Sequence, residues 1–267
     1  MKKHIYNESF FDAEMPDVAY VVGFWAADGY ISKRGKSYTW GLVQKDREHL
    51  VKINEIMGNN KPLMKKGPTC WQIRCYNKIY YDRMSEMGYS SRKSNKMPIP
   101  ELSKRMMRHF LRGYFDGDGS VMIKRTTLKV VFTCGDKEFL NFIKNYLIAN
   151  VGTKGGSIFG ISNENSDTSF KGSAHQLSYS THDSLKLYDY FYKDDPLCLG
   201  RKKEIFESYE LAPRSQLRKK YRVETPDNSV ILVDNLRQFM IKYKISSSLK
   251  NVIDTDKSFR GYRISRV

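Results

Sequence analysis

Two carboxylates in this sequence each follow an apolar run and immediately precede a glycine. Asp28–Gly29 closes the run AYVVGFWAADG, and Asp118–Gly119 closes the run HFLRGYFDGDG, 90 positions later. A single Asp-Gly pair most often marks a turn, because glycine accepts a positive φ and aspartate bonds its own backbone. Two copies at this spacing indicate an internal repeat instead. Two carboxylates brought together would be oxygen ligands for a divalent cation such as Mg²⁺.

Small residues four positions apart recur in both apolar runs. Gly23 and Ala27 share one helical face in the first run, and Gly113 and Gly117 share one face in the second. Such faces let two helix backbones approach closely, and the runs are too short to span a bilayer. If the two faces pack together, the carboxylates meet at the same end of the helix pair.

The composition predicts a polyanionic partner. The 267 residues carry a net charge of +17, which favours binding to phosphate groups, with a merely solubilising surface charge as the alternative. Eighteen Tyr and fourteen Phe argue against disorder. The four cysteines have no CxxC spacing, so we expect free thiols and no structural zinc. Without a membrane-length run or a signal-peptide pattern, we expect a cytoplasmic location in a bacterial, phage or organellar genetic compartment.

Hydrophobic periodicity predicts the same order of elements twice. Each acid is followed by a hairpin, a helix that begins at an aspartate (Asp46 or Asp136), a second hairpin and a last helix. Asp17 is expected to cap the first helix. The predicted fold is α+β, with two pseudo-symmetric αββαββα units that form a saddle of antiparallel sheets around two packed helices. The predicted boundaries are 1–100 and 101–210 for these units, 211–220 for a basic linker and 221–267 for a small module.

The stretches Val21–Gly29 and Leu111–Gly119 resemble the nine-residue signature of the LAGLIDADG homing endonucleases, in the single-chain form with two copies. The resemblance covers residues 15 to about 210. The eighth position of the signature holds the metal-binding acid of the family, and both copies keep an aspartate there. The sixth position departs in the first copy, where Ala26 replaces the acid that Asp116 supplies in the second.

This resemblance implies a metal-dependent endonuclease that hydrolyses phosphodiesters on both strands of a long asymmetric double-stranded DNA target. The implied cofactor is Mg²⁺, for which Mn²⁺ or Ca²⁺ can substitute in binding, and the expected nucleophile is a water molecule polarised by the metal. The implied metal ligands are the carboxylates of Asp28 and Asp118 and the backbone carbonyls of Ala27 and Gly117. The chain is expected to act as a monomer.

Two further catalytic positions follow from the resemblance. The family places a polar residue at the end of the second strand of each unit, which is Gln44 in the first unit and Cys134, a departure, in the second. It also places a lysine after the last helix, which Lys93 and Lys202 match, with Lys203 competing for the second position. A solvated surface lysine is the alternative interpretation of each.

The family reads DNA through the outward face of its strands, and two-stranded ribbons fit the major groove. Arg34 and Arg74 are the best candidates for reading guanine, although phosphate contact is the commoner use of a basic side chain. The expected DNA-binding strand residues are Ser32, Arg34, Lys36, Gln72, Arg74, Lys124 and Lys129.

The segment 221–267 resembles the small helix-turn-helix repeat appended to many intron-encoded nucleases, on the patterns NLRQF, SSSLKNVI and GYRI. A stabilising cap on the nuclease core is the alternative. If the module binds DNA, the start of its recognition helix comprises Ser247, Ser248, Lys250 and Asn251. In its first helix, the side chains expected to face the core are those of Leu236, Phe239, Met240 and Tyr243.

A relative that binds nucleic acid without cutting it is the second functional hypothesis. Such a protein would be an RNA splicing maturase, with intron RNA as its partner, or a transcription regulator. Loss of one acid would favour this hypothesis, and both acids remain. The sequence therefore favours the endonuclease.

Overall fold

The computed structural model describes residues 4–91, 96–124, 126–161, 174–194, 197–211 and 220–267. The chain divides into two compact units, Met1–Glu207 and Ser208–Val267. Within the described ranges, no helix combines the length and apolar character needed to cross a membrane.

The first half of the large unit has the predicted order of helices and strands. Its strands form one antiparallel sheet in the order β1-β2-β4-β3. After a short 3₁₀ helix η1 (Phe10–Asp12), its elements are α1 (Pro16–Asp28), β1 (Gly29–Arg34), β2 (Ser37–Gln44), α2 (Arg47–Ile56), β3 (Met64–Lys66), β4 (Cys70–Cys75) and α3 (Lys78–Glu86).

The second half repeats this order and adds one helix. Its antiparallel sheet has the order β5-β6-β8-β7, which matches the first sheet strand for strand and confirms the predicted α+β fold with two similar halves. The elements are α4 (Lys104–Asp118), β5 (Ser120–Lys124), β6 (Thr127–Cys134), α5 (Lys137–Val151), β7 (Ser157–Ile161), β8 (Ala174–Tyr179), α6 (Thr181–Tyr192) and α7 (Gly200–Leu211).

Aspartates begin the equivalent helices α2 and α5. The Asp46 carboxylate accepts a hydrogen bond from the backbone N–H of His49, and Asp136 accepts from two backbone N–H groups of its own helix. The first helix differs from the prediction. Asp17 lies in its first turn rather than at its cap, because Pro16 takes the first helical position, where its fixed φ suits the helix and no N–H is needed.

Helices α1 and α4 cross through their glycines. A Cβ added at Gly23 would lie 2.0 Å from the carbonyl oxygen of Phe110, and one added at Gly113 would lie 2.1 Å from that of Tyr20. No real Cβ tolerates such distances, so the backbones touch as the small-residue faces predicted. This crossing joins the two halves of the unit.

Each sheet buries one face and presents the other. Trp40 and Leu42 on β2 are fully buried, and Trp40 stacks on Trp25 of α1 with ring centroids 6.2 Å apart. The second sheet also has fully buried side chains on one face of β6, namely Leu128, Val130 and Phe132. Because side chains alternate along a strand, the residues between them form the outer face of each sheet.

The small unit contains a three-stranded antiparallel sheet in the order β10-β9-β11. Its core includes Leu236, Phe239 and Met240, whereas Tyr243, predicted to face inward, is 42% exposed. Part of the basic linker, residues 212–219, lies outside the described residues. The elements are β9 (Tyr221–Glu224), β10 (Val230–Val233), α8 (Leu236–Lys242), a 3₁₀ helix η2 (Ser247–Val252) and β11 (Arg263–Arg266).

The predicted helix-turn-helix is not confirmed. The segment expected to start a second α-helix forms the 3₁₀ helix η2 of six residues. Leu249 and Val252 are both buried, and a spacing of three aligns side chains in a 3₁₀ helix. The Ser246 hydroxyl accepts a hydrogen bond from the backbone N–H of Ser248, which fixes this tight start.

Candidate active site

Asp28 and Asp118 are the last residues of α1 and α4. In both copies the chain leaves the helix directly into a strand, with extended backbone at Gly29 (φ −90°) and Gly119 (φ −79°). The alternative interpretation as a turn with positive φ at glycine is therefore wrong. The two acids occupy equivalent ends of two crossed helices.

The Asp28 carboxylate lies beside the residue that precedes Asp118. A Cβ added at Gly117 would lie 3.3 Å from Asp28 Oδ2 and 2.3 Å from the Cβ of Ala27. Glycine is therefore required here for the helix ends to meet. The structure brings both predicted acids, together with Ala27 and Gly117, to the same end of the crossing.

Gln44 also reaches this end of the helix pair. It is the last residue of β2, and its side-chain Nε2 donates a hydrogen bond of 2.7 Å to Asp28 Oδ2. Its Oε1 accepts from the backbone N–H of Lys45, also at 2.7 Å. The amide is therefore oriented on both sides, and it holds one oxygen of the Asp28 carboxylate.

The equivalent position of the second half is chemically different. Cys134 ends β6 and is buried, and its Sγ accepts a hydrogen bond from the backbone N–H of Asp136 at 3.4 Å. Burial raises the pKa of the Cys134 thiol, while a hydrogen bond with Tyr114 acts in the opposite direction. The two acids therefore have different neighbours at equivalent strand ends.

Lys202 lies buried against the C-terminal end of α4. Its Nζ donates to the carbonyl oxygens of Gly119 at 2.5 Å, Phe115 at 2.6 Å and Asp116 at 2.7 Å, and it lies 3.5 Å from that of Gly117. Carbonyls at a helix C-terminus lack helical partners and carry partial negative charge, so an ammonium group fits there.

Burial lowers the pKa of Lys202 to about 8, and the carboxylates of Asp116, Asp28 and Asp118 oppose this shift. Lys203 pairs instead with Glu207, with Nζ 3.7 Å from Oε1. The geometry therefore favours Lys202 over Lys203 as the lysine at the acids. Lys93 lies outside the described residues.

Asp116, the sixth residue of the second signature copy, has a role that the sequence alone did not indicate. This fully buried carboxylate accepts hydrogen bonds from the hydroxyls of Tyr20 (2.8 Å) and Tyr192 (2.6 Å) and from the backbone N–H of Leu199 (2.9 Å). Burial raises the pKa of Asp116, and its hydrogen bonds act in the opposite direction. A nearby imidazole joins this network, since His49 Nε2 lies 2.8 Å from the Tyr20 hydroxyl.

Arg112, one helical turn before Asp116, was not among the residues predicted for the site. Its guanidinium is buried and donates to the carbonyl oxygens of Leu197 at 3.0 Å and Phe191 at 3.3 Å. With the Asp116–Leu199 hydrogen bond, it fixes the segment just before α7 and so places Lys202. The sequence held one signal for this role, because charged residues inside an apolar helical run are buried only when they have partners. The charges at these positions therefore indicated buried polar contacts.

The predicted DNA-binding residues of the first half share the outer face of its sheet. Ser32 pairs with Thr39, and Arg74 pairs with Gly41, both on the face opposite Trp40. The face is less open than predicted, since Gln72 is only 6% exposed and Arg74 is half-buried. Arg34 is exposed at the end of β1, and Lys36 is exposed in the turn that follows.

The second sheet presents lysines beside apolar side chains. Lys129 pairs with Met122, and its Nζ lies 5.9 Å from the centroid of the Phe159 ring. Lys124 is exposed at the end of β5 on the same face. The exposed Met122 and Phe159 were not among the predicted DNA-binding residues.

The four residues predicted in the small unit lie on η2 and are exposed, but not on an α-helix. They are Ser247, Ser248, Lys250 and Asn251.

The donor set at the acids suits Mg²⁺. The available ligands are two carboxylates and helix-end carbonyls, all hard oxygen donors. Among the described residues, no group of three or more His, Cys, Asp or Glu side chains forms a complete metal cage. Such a site would bind a cation together with substrate phosphates and water.

Two sequence comparisons give matches. Residues 105–189 match the family described as LAGLIDADG-like domain. An uncharacterized protein of Methanocaldococcus jannaschii is 27% identical over 141 residues, which are 49% of this chain and 48% of that protein. The chain thus spans about half the length of this curated relative.

Three solved structures of proteins with DNA are similar to this chain. The homing endonuclease I-WcaI bound to its DNA recognition sequence has a TM-score of 0.50 and 13% identity, covering 72% of this chain and 85% of that one. Meganuclease I-SmaMI bound to uncleaveable DNA has a TM-score of 0.49 and 16% identity, covering 72% and 87%. An I-DmoI variant with its target DNA has a TM-score of 0.48 and 16% identity, covering 67% and 97%. The match to I-WcaI shows that the chain shares its fold, and residues 105–189 match the model of a LAGLIDADG-like domain.

Proposed function

We propose that this protein is a metal-dependent endonuclease that cuts both strands of a long, asymmetric double-stranded DNA target. The observation that carries the proposal is the position of Asp28 and Asp118 at the same end of a glycine-lined helix crossing. One acid would serve each strand. The two similar halves suit a nearly palindromic site, and their sequence differences permit asymmetry.

Charge and fold support DNA as the substrate. The net charge of +17 favours a polyanion, and the outer sheet faces present Arg34, Arg74, Lys124 and Lys129. I-WcaI, which shares the fold, was solved on its DNA recognition sequence. We extend this mode of binding to the present chain.

Mg²⁺ would be held by the carboxylates of Asp28 and Asp118, with the carbonyls of Ala27 and Gly117 as further candidates. When bound, the ion would lower the pKa of water and stabilise charge on the phosphodiester. Gln44 keeps one oxygen of Asp28 in place through its 2.7 Å hydrogen bond. Lys202 supplies a positive charge beside the scissile phosphate, where negative charge develops.

A nucleic-acid-binding protein that does not cut is the second candidate. One observation favours it, because the Lys202 ammonium lies 3.5 Å from the Gly117 carbonyl and its charge would oppose a cation bound there. An RNA splicing maturase or a transcription regulator would need the same basic surface and no metal.

The deciding experiment incubates the protein with a randomised library of DNA duplexes and Mg²⁺, and sequences both bound and cut molecules. We expect double-strand cuts at a single family of sites. Asp28→Asn and Asp118→Asn should each abolish double-strand cutting and leave binding within a few-fold. Selective binding without cuts, in Mg²⁺ and in Mn²⁺, would establish the second candidate. Binding that collapses with each substitution would assign the acids a structural role.

A further inference from the structure

A groove opens at the end of the helix crossing that lies away from the carboxylates. It has a volume of about 580 Å³ and lies between the segment before α1, the first turns of α1, the end of α3 and residues 99–102. At 1.5 Å per residue, Val18 in the groove lies about 15 Å along α1 from Asp28. The groove is therefore distinct from the candidate active site.

The floor of the groove is apolar. Val18, Val22 and Met106 line it and are buried in the large unit. Two apolar side chains extend from its edge into solvent, since Met15 is 53% exposed and Ile99 is 54% exposed. Its volume falls within the roughly 300–1,000 Å³ of typical ligand sites.

The charges around the groove are opposite to the charge of the chain. Among the residues that the structure describes, those that line the groove include four acids and no lysine or arginine, in a protein with a net charge of +17. Arg83 partly neutralises two of these acids, with 2.6 Å to Asp12 and 2.9 Å to Glu86. Glu14 and Glu101 remain exposed at the edge.

We propose that the groove binds a short basic amphipathic segment of another protein. Apolar side chains of the segment would occupy the floor between Val18, Val22 and Met106, and its lysines or arginines would face Glu14 and Glu101. Charge complementarity selects this partner, since the rest of the chain repels a basic peptide. An amphipathic helix in an apolar groove is a common recognition mode. The proposal does not depend on DNA cleavage.

The probe is a fluorescein-labelled helical peptide of leucine and lysine, LKKLLKLLKKLLKL, titrated with the full chain by fluorescence polarisation. We expect saturable binding, weakened at least tenfold by the double substitution Glu14→Lys/Glu101→Lys and by Ile99→Ser. The matched control is Glu48→Lys/Glu55→Lys on α2, whose glutamates are also exposed. The control makes the same change in net charge and should leave affinity within twofold.

Four outcomes would overturn the proposal. The first is that the peptide does not bind, and the second is that both double charge reversals weaken its binding equally. The third is that a lysine–serine peptide of the same charge binds with equal affinity. The fourth is that the protein self-associates and that Ile99→Ser removes this self-association. The last outcome would assign the groove to a second copy. Asp28→Asn lies outside the groove, so this variant should bind the peptide normally whether or not the protein cuts DNA.

Discussion

Below about pH 8 the buried ammonium of Lys202 carries a positive charge at the C-terminal end of α4, beside the two carboxylates. Its pKa is lowered from 10.5 in the unfolded chain, so the charge is lost as pH rises through 8. Between about pH 8 and pH 10.5 the lysine is neutral in the folded protein but still protonated in the unfolded chain. The unfolded chain binds more protons over this interval, so the contribution of Lys202 to the free energy of unfolding increases as pH rises.

We predict that cleavage slows as pH rises above about 8 if Lys202 acts as a cation. Lys202→Met should lower the single-turnover rate at pH 7 by roughly 10²-fold, since one transition-state donor is typically worth that much. It should also remove the fall above pH 8. Lys202→Arg should move that fall to higher pH, because a guanidinium keeps its charge.

The neighbouring lysine provides the control for this pH profile. Lys203 pairs with Glu207, so Lys203→Met should leave both the rate and the profile nearly unchanged. If both methionine variants lose activity equally, general surface charge explains the effect and the proposed role of Lys202 is wrong.

At the scale of elements, the helix crossing depends on two glycines. We predict that Gly23→Ala lowers the free energy of unfolding by about 3 kcal/mol or more, or prevents folding, because the new Cβ would lie 2.0 Å from a backbone oxygen of Phe110. The matched control is Gly160→Ala on β7, where a Cβ would have no atom within 4 Å. Urea unfolding followed by circular dichroism should show a change under about 1 kcal/mol for the control. Equal effects of the two substitutions would mean that the crossing is not tightly packed.

The order and faces of the elements were predictable from the sequence because the repeat supplies the same pattern twice. Asp46 and Asp136 mark equivalent helix starts, and alternation placed Trp40 and Leu42 on the buried face. Local pattern was insufficient where one spacing fits two kinds of helix, since residues three apart lie close together on one face of either. Leu249 and its neighbours fit either an α-helix or the observed 3₁₀ helix.

The residues of the candidate active site were predictable where they belong to the internal repeat. Asp28 and Asp118 follow from the signature, and Gln44 from its place at a strand end. The network around Asp116 was not predictable, because Tyr192 and Leu199 reach it from far along the chain. Burial of Gln72 also depends on tertiary packing, which alternation along a strand does not report.

At the scale of the whole molecule, the second compact unit, Ser208–Val267, is expected to add affinity for DNA rather than catalysis. We predict that deleting residues 213–267 weakens target binding at least tenfold and changes the cleavage rate at saturating protein less than threefold. Tethering a second binding module raises affinity without new chemistry. Binding should be measured at fixed salt, since phosphate contacts depend on it.

Thermal unfolding of the shortened chain separates this prediction from a purely stabilising cap. A DNA-binding module should leave the melting temperature of the large unit nearly unchanged. Unchanged affinity with a much lower melting temperature would instead identify the small unit as a cap.

The equivalent strand ends of the two halves carry different side chains, Gln44 in the first and Cys134 in the second, and this difference has a consequence for the timing of the two cuts. The Gln44 amide donates a hydrogen bond to Asp28, whereas the equivalent strand end of the second half carries the thiol of Cys134, which has no amide group to donate. We therefore expect supercoiled plasmid carrying the target to pass through a nicked circle before it becomes linear. Cys134→Gln should shorten the lifetime of this nicked circle, and Gln44→Cys should lengthen it; linear product that forms with no nicked precursor would contradict the expectation. Two halves that are alike in space would then act one after the other.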